Sequence, residues 1–215
     1  MKRLLLLLVA VVMIAPMAEA KKRETAEEVE LKTRHYSGWE WGAQGRFNLV
    51  FYDLSYMKVY NEAPVKEYFA GVKTADDKAM LGGTFLLNGG YFINNNWKVG
   101  FELGAQVQYN YTFMPISVTG HYFYGTRKNC LFNFVTLGTN MLAEKGSLRF
   151  GANGSAGVGF RIQSPYSVLK YDIVLGYQSV MLNPKPHGGD FSFNSDDVKF
   201  HRVNQSIYIG LGVTF

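Results

Sequence analysis

Residues 97–111, WKVGFELGAQVQYNY, alternate between two kinds of side chain without a break. Trp97, Val99 and Phe101 begin a series of apolar or aromatic residues at the odd positions, whereas the even positions carry polar or small residues. Successive side chains of a β-strand point to opposite faces of the sheet. The stretch therefore predicts one long strand with an apolar face and a polar face.

Four other segments repeat this alternation, and three weaker ones complete a set of eight predicted strands. The clear segments are 39–51, 148–162, 169–177 and 203–215, and the weaker ones are 80–93, 116–125 and 130–141. In segment 130–141 the pattern does not decide which face is apolar. Beyond the first 20 residues no apolar run is long enough for a spanning helix, so an all-β fold is predicted.

The links between these strands are of two kinds. Tight turns rich in turn-favouring residues are expected at 94–96, 126–129 and 163–167. Long links are expected at 53–79 and 183–199, and short ones near Thr112 and Glu144. The tight turns fall on the side of both termini, as in outer-membrane barrels with short periplasmic turns. We expect an eight-stranded antiparallel transmembrane β-barrel, or ten strands if part of the first long link pairs.

A soluble barrel such as a lipocalin also alternates, but with its apolar face inward. The interior of an eight-stranded barrel holds only a limited number of side chains, so the many Trp, Phe, Leu and Tyr residues are expected to face lipid. Aromatic residues near the strand ends predict two membrane-interface belts. The predicted interface residues are Trp39, Trp97, Tyr122 and Phe215 at the periplasmic rim and Tyr109 and Tyr111 at the outer rim.

The first 20 residues have the three regions of a secretory signal: Lys2 and Arg3, an apolar run, and small residues at Ala18 and Ala20. We expect a cleaved signal peptide at 1–20, a charged periplasmic leader at 21–36 and the barrel domain at 37–215. The net charge of +5 is spread along the chain and predicts no nucleic-acid partner. The one cysteine, Cys130, excludes an internal disulfide.

Charged residues on the polar face are the candidates for function. They are Glu40, Arg46, Lys98, Glu102, Arg149, Arg161, Lys170, Asp172 and Arg202. Because buried charges are costly unless they are paired, we expect a salt-bridged polar network that fills the interior. A solute path and a catalytic site are the alternatives. Ser117 and His121 share a face but are about 13 Å apart along a strand, too far for a hydrogen bond. No catalytic, cofactor or metal site is predicted.

The chain resembles the small outer-membrane β-barrel domain family of Bacteroides-like bacteria, also described as PorT-like or as OmpX- and OmpA-like eight-stranded barrels. The resemblance is carried by Gly90-Tyr91-Phe92-Ile93-Asn94, Met114-Pro115-Ile116, Gly176-Tyr177-Gln178, the glycine-alternating segment 151–160 and Phe215. It implies that the last strand, ending at Phe215, is recognised by the barrel-insertion machinery. It also implies that no particular activity is expected.

We therefore predict a protein of the outer membrane of a Gram-negative bacterium, in contact with outer-membrane lipid. It would be structural or would interact with partners through its extracellular loops, whose ligand the sequence does not identify, and it would not be an enzyme. A narrow porin-like channel, an accessory protein for secretion across the outer membrane and a small barrel enzyme are the alternatives.

Overall fold

Antiparallel strands dominate the computed structural model, which describes residues 33, 36, 38–59, 66–68, 72–74, 80–108, 111–144, 147–163, 167–184 and 198–215. The predicted signal peptide, most of the predicted leader and Tyr109 lie outside the described residues. Among the described residues, no helix has the length and hydropathy needed to span a bilayer.

Eight long strands and two short ones follow one another along the chain. They are β1 (Gly38–Val59), β2 (Lys66–Tyr68), β3 (Val72–Thr74), β4 (Met80–Phe92), β5 (Trp97–Gln108), β6 (Tyr111–Phe123), β7 (Cys130–Glu144), β8 (Ser147–Gln163), β9 (Lys170–Leu182) and β10 (Val198–Thr214). Each long strand pairs antiparallel with the next one, and β10 pairs with β1 to close the wall. The predicted eight-stranded antiparallel barrel is confirmed.

The first strand is longer than the sequence predicted. It continues beyond Phe51 to Val59, and its register with β10 shifts between Val50 and Tyr52. An extra residue of this kind, a β-bulge, changes which residues face inward. Val50 and Asp53 are consequently both buried. β2 and β3 pair with the continuation of β1, so residues of the first long link form a short attachment to β1 and no additional full-length strand.

The predicted strand 97–111 is wrong at its end. β5 ends at Gln108, and Tyr111 opens β6, which also contains the Thr112 that was assigned to a link. The alternation of large and small residues runs through the reversal, so the pattern gave no signal of a turn. Tyr111 therefore faces the barrel interior and not the membrane interface.

The exterior of the wall is apolar and the interior is mixed. Outward side chains such as Trp39, Leu137 and Leu211 are 61%, 68% and 66% exposed, and large apolar residues recur on the outer face of every long strand. Polar residues including Asn48, Gln106 and Arg161 are 0% exposed inside. The predicted assignment of the two faces is confirmed.

Several aromatic side chains also point inward, and glycines at the paired positions of the neighbouring strands make room for them. A Cβ atom at Gly159 would stand 2.2 Å from the ring of Phe132, and one at Gly176 would stand 2.5 Å from the ring of Tyr208. Both rings are almost fully buried. These inward glycines therefore provide volume for aromatic packing, in accord with the close approaches that strand glycines permit.

Candidate functional site in the barrel interior

A cluster of charges lies inside the rim that carries the tight turns, where β1 and β9 begin and β8 ends. We call this rim periplasmic after its predicted side of the membrane and the opposite one outer. Glu40 accepts hydrogen bonds from Arg161 at 3.1 Å and from Lys98 at 3.5 Å, and it also pairs with Lys170. Arg161 reaches Asp172 through two parallel contacts of 2.8 and 2.7 Å. We call these five residues the rim cluster. Its paired, charge-assisted geometry fixes the positions of four strands relative to one another.

The rim cluster contains three cations and two carboxylates, and aromatic rings face the cations. Arg161 lies 4.8 Å from the ring centre of Phe123, and Lys98 lies within 6 Å of the rings of both Phe92 and Phe123. The negative face of an aromatic ring attracts a cation, and more strongly where water is excluded. These rings therefore supply part of the stabilisation that the two carboxylates leave incomplete.

Tyr36, which precedes β1, inserts among these groups. Its ring centre lies 4.6 Å from that of Phe92, and Lys170 lies 4.8 Å from its ring. Its backbone N–H donates to Asn95 at 3.1 Å, and its hydroxyl donates to Gln163 at 3.0 Å. Burial raises the pKa of Tyr36 to about 12 even though nearby Arg161 opposes the rise. The phenol therefore remains a hydrogen-bond donor at neutral pH.

The middle of the barrel is held by a second ion pair. One Arg46 nitrogen contacts both carboxylate oxygens of Glu102 at 2.8 Å, and the guanidinium lies 4.9 Å from the ring centre of Tyr208. His121 packs between rings, with Phe132 at 5.7 Å. A cavity of about 20 Å³ borders Arg46, Glu102 and His121. This is room for about one water molecule.

Toward the outer rim the interior becomes less charged. Gln106 and Gln178 exchange hydrogen bonds of 3.2 Å across the lumen. Beyond them Phe113, Leu142, Val180 and Leu182 form a buried apolar cluster, with Tyr111 packed against it. Arg202 pairs with Asp53 and lies 5.3 Å from the ring centre of Tyr111. Side chains thus occupy the interior from one rim to the other.

Most of the predicted interior charges come together, but in separate groups. Glu40, Arg161, Lys170 and Asp172 belong to the rim cluster, Arg46 pairs with Glu102, and Arg202 pairs with Asp53. Arg149 is half-buried at the outer end of β8 and makes no ion pair with the described residues. Of the predicted interface aromatics, Trp39, Trp97 and Phe215 are exposed on the outer face, and Tyr122 packs 5.0 Å from Trp97.

Two interior residues were missed by the sequence analysis. Asp53 was assigned to a link, and only the bulge in β1 brings it inside. Tyr36 was assigned to the solvated leader, and no local pattern marks it as buried. A search for a carboxylate able to pair with the predicted inward Arg202 could have drawn attention to Asp53.

The interior offers little for catalysis among the described residues. The Ser117 hydroxyl donates to Asn153 at 2.8 Å, and His121, four residues further along β6, is packed among aromatic rings. Within the described part of the chain, no group of three His, Cys, Asp or Glu side chains could hold a metal ion. The interior ion pairs and hydrogen bonds instead cross-link the strands of the barrel wall from the inside.

The structure is similar to several solved outer-membrane proteins. Outer membrane protein OprG from Pseudomonas aeruginosa is 14% identical, with 84% of this chain and 97% of that chain covered and a TM-score of 0.46. Neisserial surface protein A is 15% identical, with 85% and 100% covered and a TM-score of 0.39. Outer membrane protease OmpT from Escherichia coli is 8% identical, with 86% and 100% covered and a TM-score of 0.40.

These identities are low, so none of those proteins transfers an activity to this chain. No known family model matches the sequence, and no curated protein matches it. The likeness is to small outer-membrane barrels in general, and membership of the PorT-like family stays a prediction.

The pairing and the apolar exterior of the barrel wall indicate that the barrel lies in a membrane. A bilayer requires every backbone polar group in its apolar core to be paired, and a sheet closed by β1 and β10 meets this requirement. An apolar exterior around a polar interior is the arrangement of outer-membrane barrels. The chain therefore has the wall of a membrane-spanning β-barrel of the outer-membrane type.

Proposed function

We propose that this protein is a non-conducting barrel with a structural or surface-interaction role in the outer membrane, and that it has no catalytic activity. The observation that carries this proposal is the filled interior. Ion pairs, amides and aromatic rings occupy the lumen at successive levels, and the cavity beside Arg46 has room for about one water molecule. A narrow channel would need a continuous path for solute.

The outer side of the barrel supports an interaction role. β1 pairs with β10 as far as Val59 and Val198, well beyond the position where β4 begins opposite Val50. The backbone of β2 and β3 pairs with this extension. The extension of β1 is thus hydrogen-bonded to β10, β2 and β3, and this sheet would support the long links near the cell surface. Loops on a rigid scaffold are the usual place for binding functions.

The proposal is tested by incorporating the purified protein into planar lipid bilayers and recording current, with a known porin as the positive control for the assay. A heat-dependent shift in electrophoretic mobility confirms that the barrel is folded in the same sample. We expect folded protein without steady conductance. Steady single-channel steps from the folded protein would instead establish the channel alternative.

Two further experiments separate the remaining alternatives. Deleting the gene is expected to leave secretion across the outer membrane unchanged, whereas a secretion defect restored by the intact gene would support the accessory role. Incubation with lipid and peptide substrates is expected to give no turnover above that of heat-unfolded protein. Turnover that disappears on unfolding would contradict the absence of catalytic activity.

A further inference from the structure

Thr33 and Tyr36, the two described residues that precede β1, lie at the periplasmic mouth of the barrel. Thr33 forms an isolated antiparallel bridge with Arg127 in the β6–β7 turn. Tyr36 donates its backbone N–H to Asn95 in the β4–β5 turn and its hydroxyl to Gln163 at the end of β8. These two residues therefore contact three different turn regions around the mouth.

Gly38 completes the fit, because its φ of +93° turns the chain from the mouth into the first strand. This backbone conformation is readily adopted by glycine and is costly for residues with a Cβ atom. The position of Tyr36 is therefore set on both sides: by the bridge at Thr33 and by the turn at Gly38.

Each part of the Tyr36 side chain has a matching partner in the pocket. The ring packs against Phe92 and Phe123, at 4.6 and 6.2 Å between centres. Two cations face it, with Lys170 at 4.8 Å and Arg161 at 5.6 Å from the ring centre. The hydroxyl reaches the Gln163 acceptor. An electron-rich ring with a hydroxyl opposite its point of attachment matches all of these groups. An aliphatic side chain would leave the two cations with their carboxylate partners alone and would take the Tyr36 donor away from Gln163.

We propose that the periplasmic mouth contains a binding pocket for a para-substituted phenol, which the chain fills with its own Tyr36 and so seals the inner end of the lumen. The pocket lies at the opposite end of the lumen from the outer loops, so its occupancy does not depend on their role. The pocket is tested with 4-methylphenol, which is the tyrosine side chain without its backbone.

Cys130 provides a reporter beside the pocket. It belongs to the same buried cluster as Tyr36, Phe92 and Phe123, and it is 5% exposed. It is also the only cysteine in the sequence, so any thiol modification reports on this position. A reagent that enters from the periplasmic mouth reaches the thiol only when the cluster opens.

The experiment measures the rate at which a small maleimide modifies Cys130 in the folded protein, in detergent micelles. We expect Tyr36→Ala to raise this rate at least about tenfold, because removing the ring opens the cluster locally. Added 4-methylphenol is expected to restore protection in a saturable way, and toluene, which lacks the hydroxyl, to restore less. The control Tyr91→Ala removes an outward tyrosine of β4 near the same rim, and we expect it to leave the rate unchanged.

An unchanged rate in Tyr36→Ala would overturn the seal, and equal protection by toluene and 4-methylphenol would overturn the phenol specificity. The heat-dependent mobility shift verifies folding of each variant. If Tyr36→Ala does not fold, Gln163→Leu keeps the ring and removes the acceptor of the Tyr36 hydroxyl, together with the hydrogen bond of 3.2 Å that Gln163 donates to the Ser167 carbonyl. That variant is expected to raise the rate about fivefold, and an unchanged rate there would also overturn the pocket assignment.

Discussion

The two ends of the barrel interior are organised differently. At the periplasmic end, the rim cluster joins Glu40 to three cations, with aromatic rings packed around them. In the outer half the polar side chains are mostly neutral. Of the five buried polar side-chain atoms without a hydrogen-bond partner among the described residues, four lie there, in Asn48, Gln108, Asn204 and Ser206, and the fifth is Nδ1 of His121, opposite Lys98. Removing one partner of a coupled buried charge pair is expensive, whereas a buried neutral group without a partner already carries its desolvation cost, so its removal changes stability little. The periplasmic end should therefore dominate the stability of the barrel.

The strongest test of this contrast is the removal of Glu40. Glu40→Ala leaves Lys98, Arg161 and Lys170 close together with Asp172 as the remaining carboxylate, and it should lower the free energy of unfolding by about 3–5 kcal/mol. Urea unfolding in lipid vesicles, followed by tryptophan fluorescence, measures the change. Arg149→Ala at the outer end is the control, with an expected change within about 0.5 kcal/mol. Similar losses of unfolding free energy in the two variants would show that the two ends of the barrel contribute equally to stability.

A second test addresses the aromatic packing at the periplasmic end. Gly159→Ala places a methyl group against the buried ring of Phe132 and should cost about 1–3 kcal/mol in unfolding experiments. Gly154→Ala on the same strand meets the Leu137 side chain at an ordinary contact distance of 3.4 Å, so it serves as the matched control. The double variant Gly159→Ala with Phe132→Leu should recover part of the loss. An equal effect of the two glycine substitutions would show that strand propensity, and not the aromatic ring, is responsible.

The smallest expected effect comes from replacing two inward serines and comparing the stability of the two variants. Ser155 contacts Thr136 at 2.7 Å and accepts from Tyr208 at 3.3 Å, so Ser155→Ala should cost about 1 kcal/mol. The hydroxyl of Ser206 has no partner among the described residues, and Ser206→Ala should change stability by less than about 0.5 kcal/mol. The same unfolding assay distinguishes the two. A large loss in Ser206→Ala would indicate that the outer half is held by ordered water.

Much of the barrel follows from the alternation of side chains, because a lipid exterior and a narrow interior impose opposite demands on the two faces of a strand. The inward placement of Glu40, Glu102 and Arg161 was predictable on this basis. The inward placement of Tyr111 was not predictable, since the alternation continues through the chain reversal between β5 and β6. Phe132 was also undecidable from its own strand, because the space that accepts it is provided by Gly159 on the neighbouring strand.

Tyr36 and Asp53 show the other limit of the sequence pattern. Tyr36 is buried through contacts with turns that are distant along the chain, and a charged leader gives no periodic signal of this. Asp53 is brought inward by one bulged residue. One inserted residue exchanges the inward and outward faces for all residues that follow it in the strand. Site residues that depend on irregular backbone are therefore the ones that periodicity does not identify.

The pairing of β1 with β10 also has a consequence for how the protein is made. The backbone groups of Trp41 and Phe215 bond to each other, so the first strand of the wall is completed by β10, which is synthesised after the other described strands. Until β10 arrives, β1 presents an unpaired edge that can join to other chains. Contacts between residues so far apart in sequence form slowly. The interval between synthesis and closure is therefore when this chain is most exposed to aggregation and proteolysis, and when an escort through the periplasm would matter most.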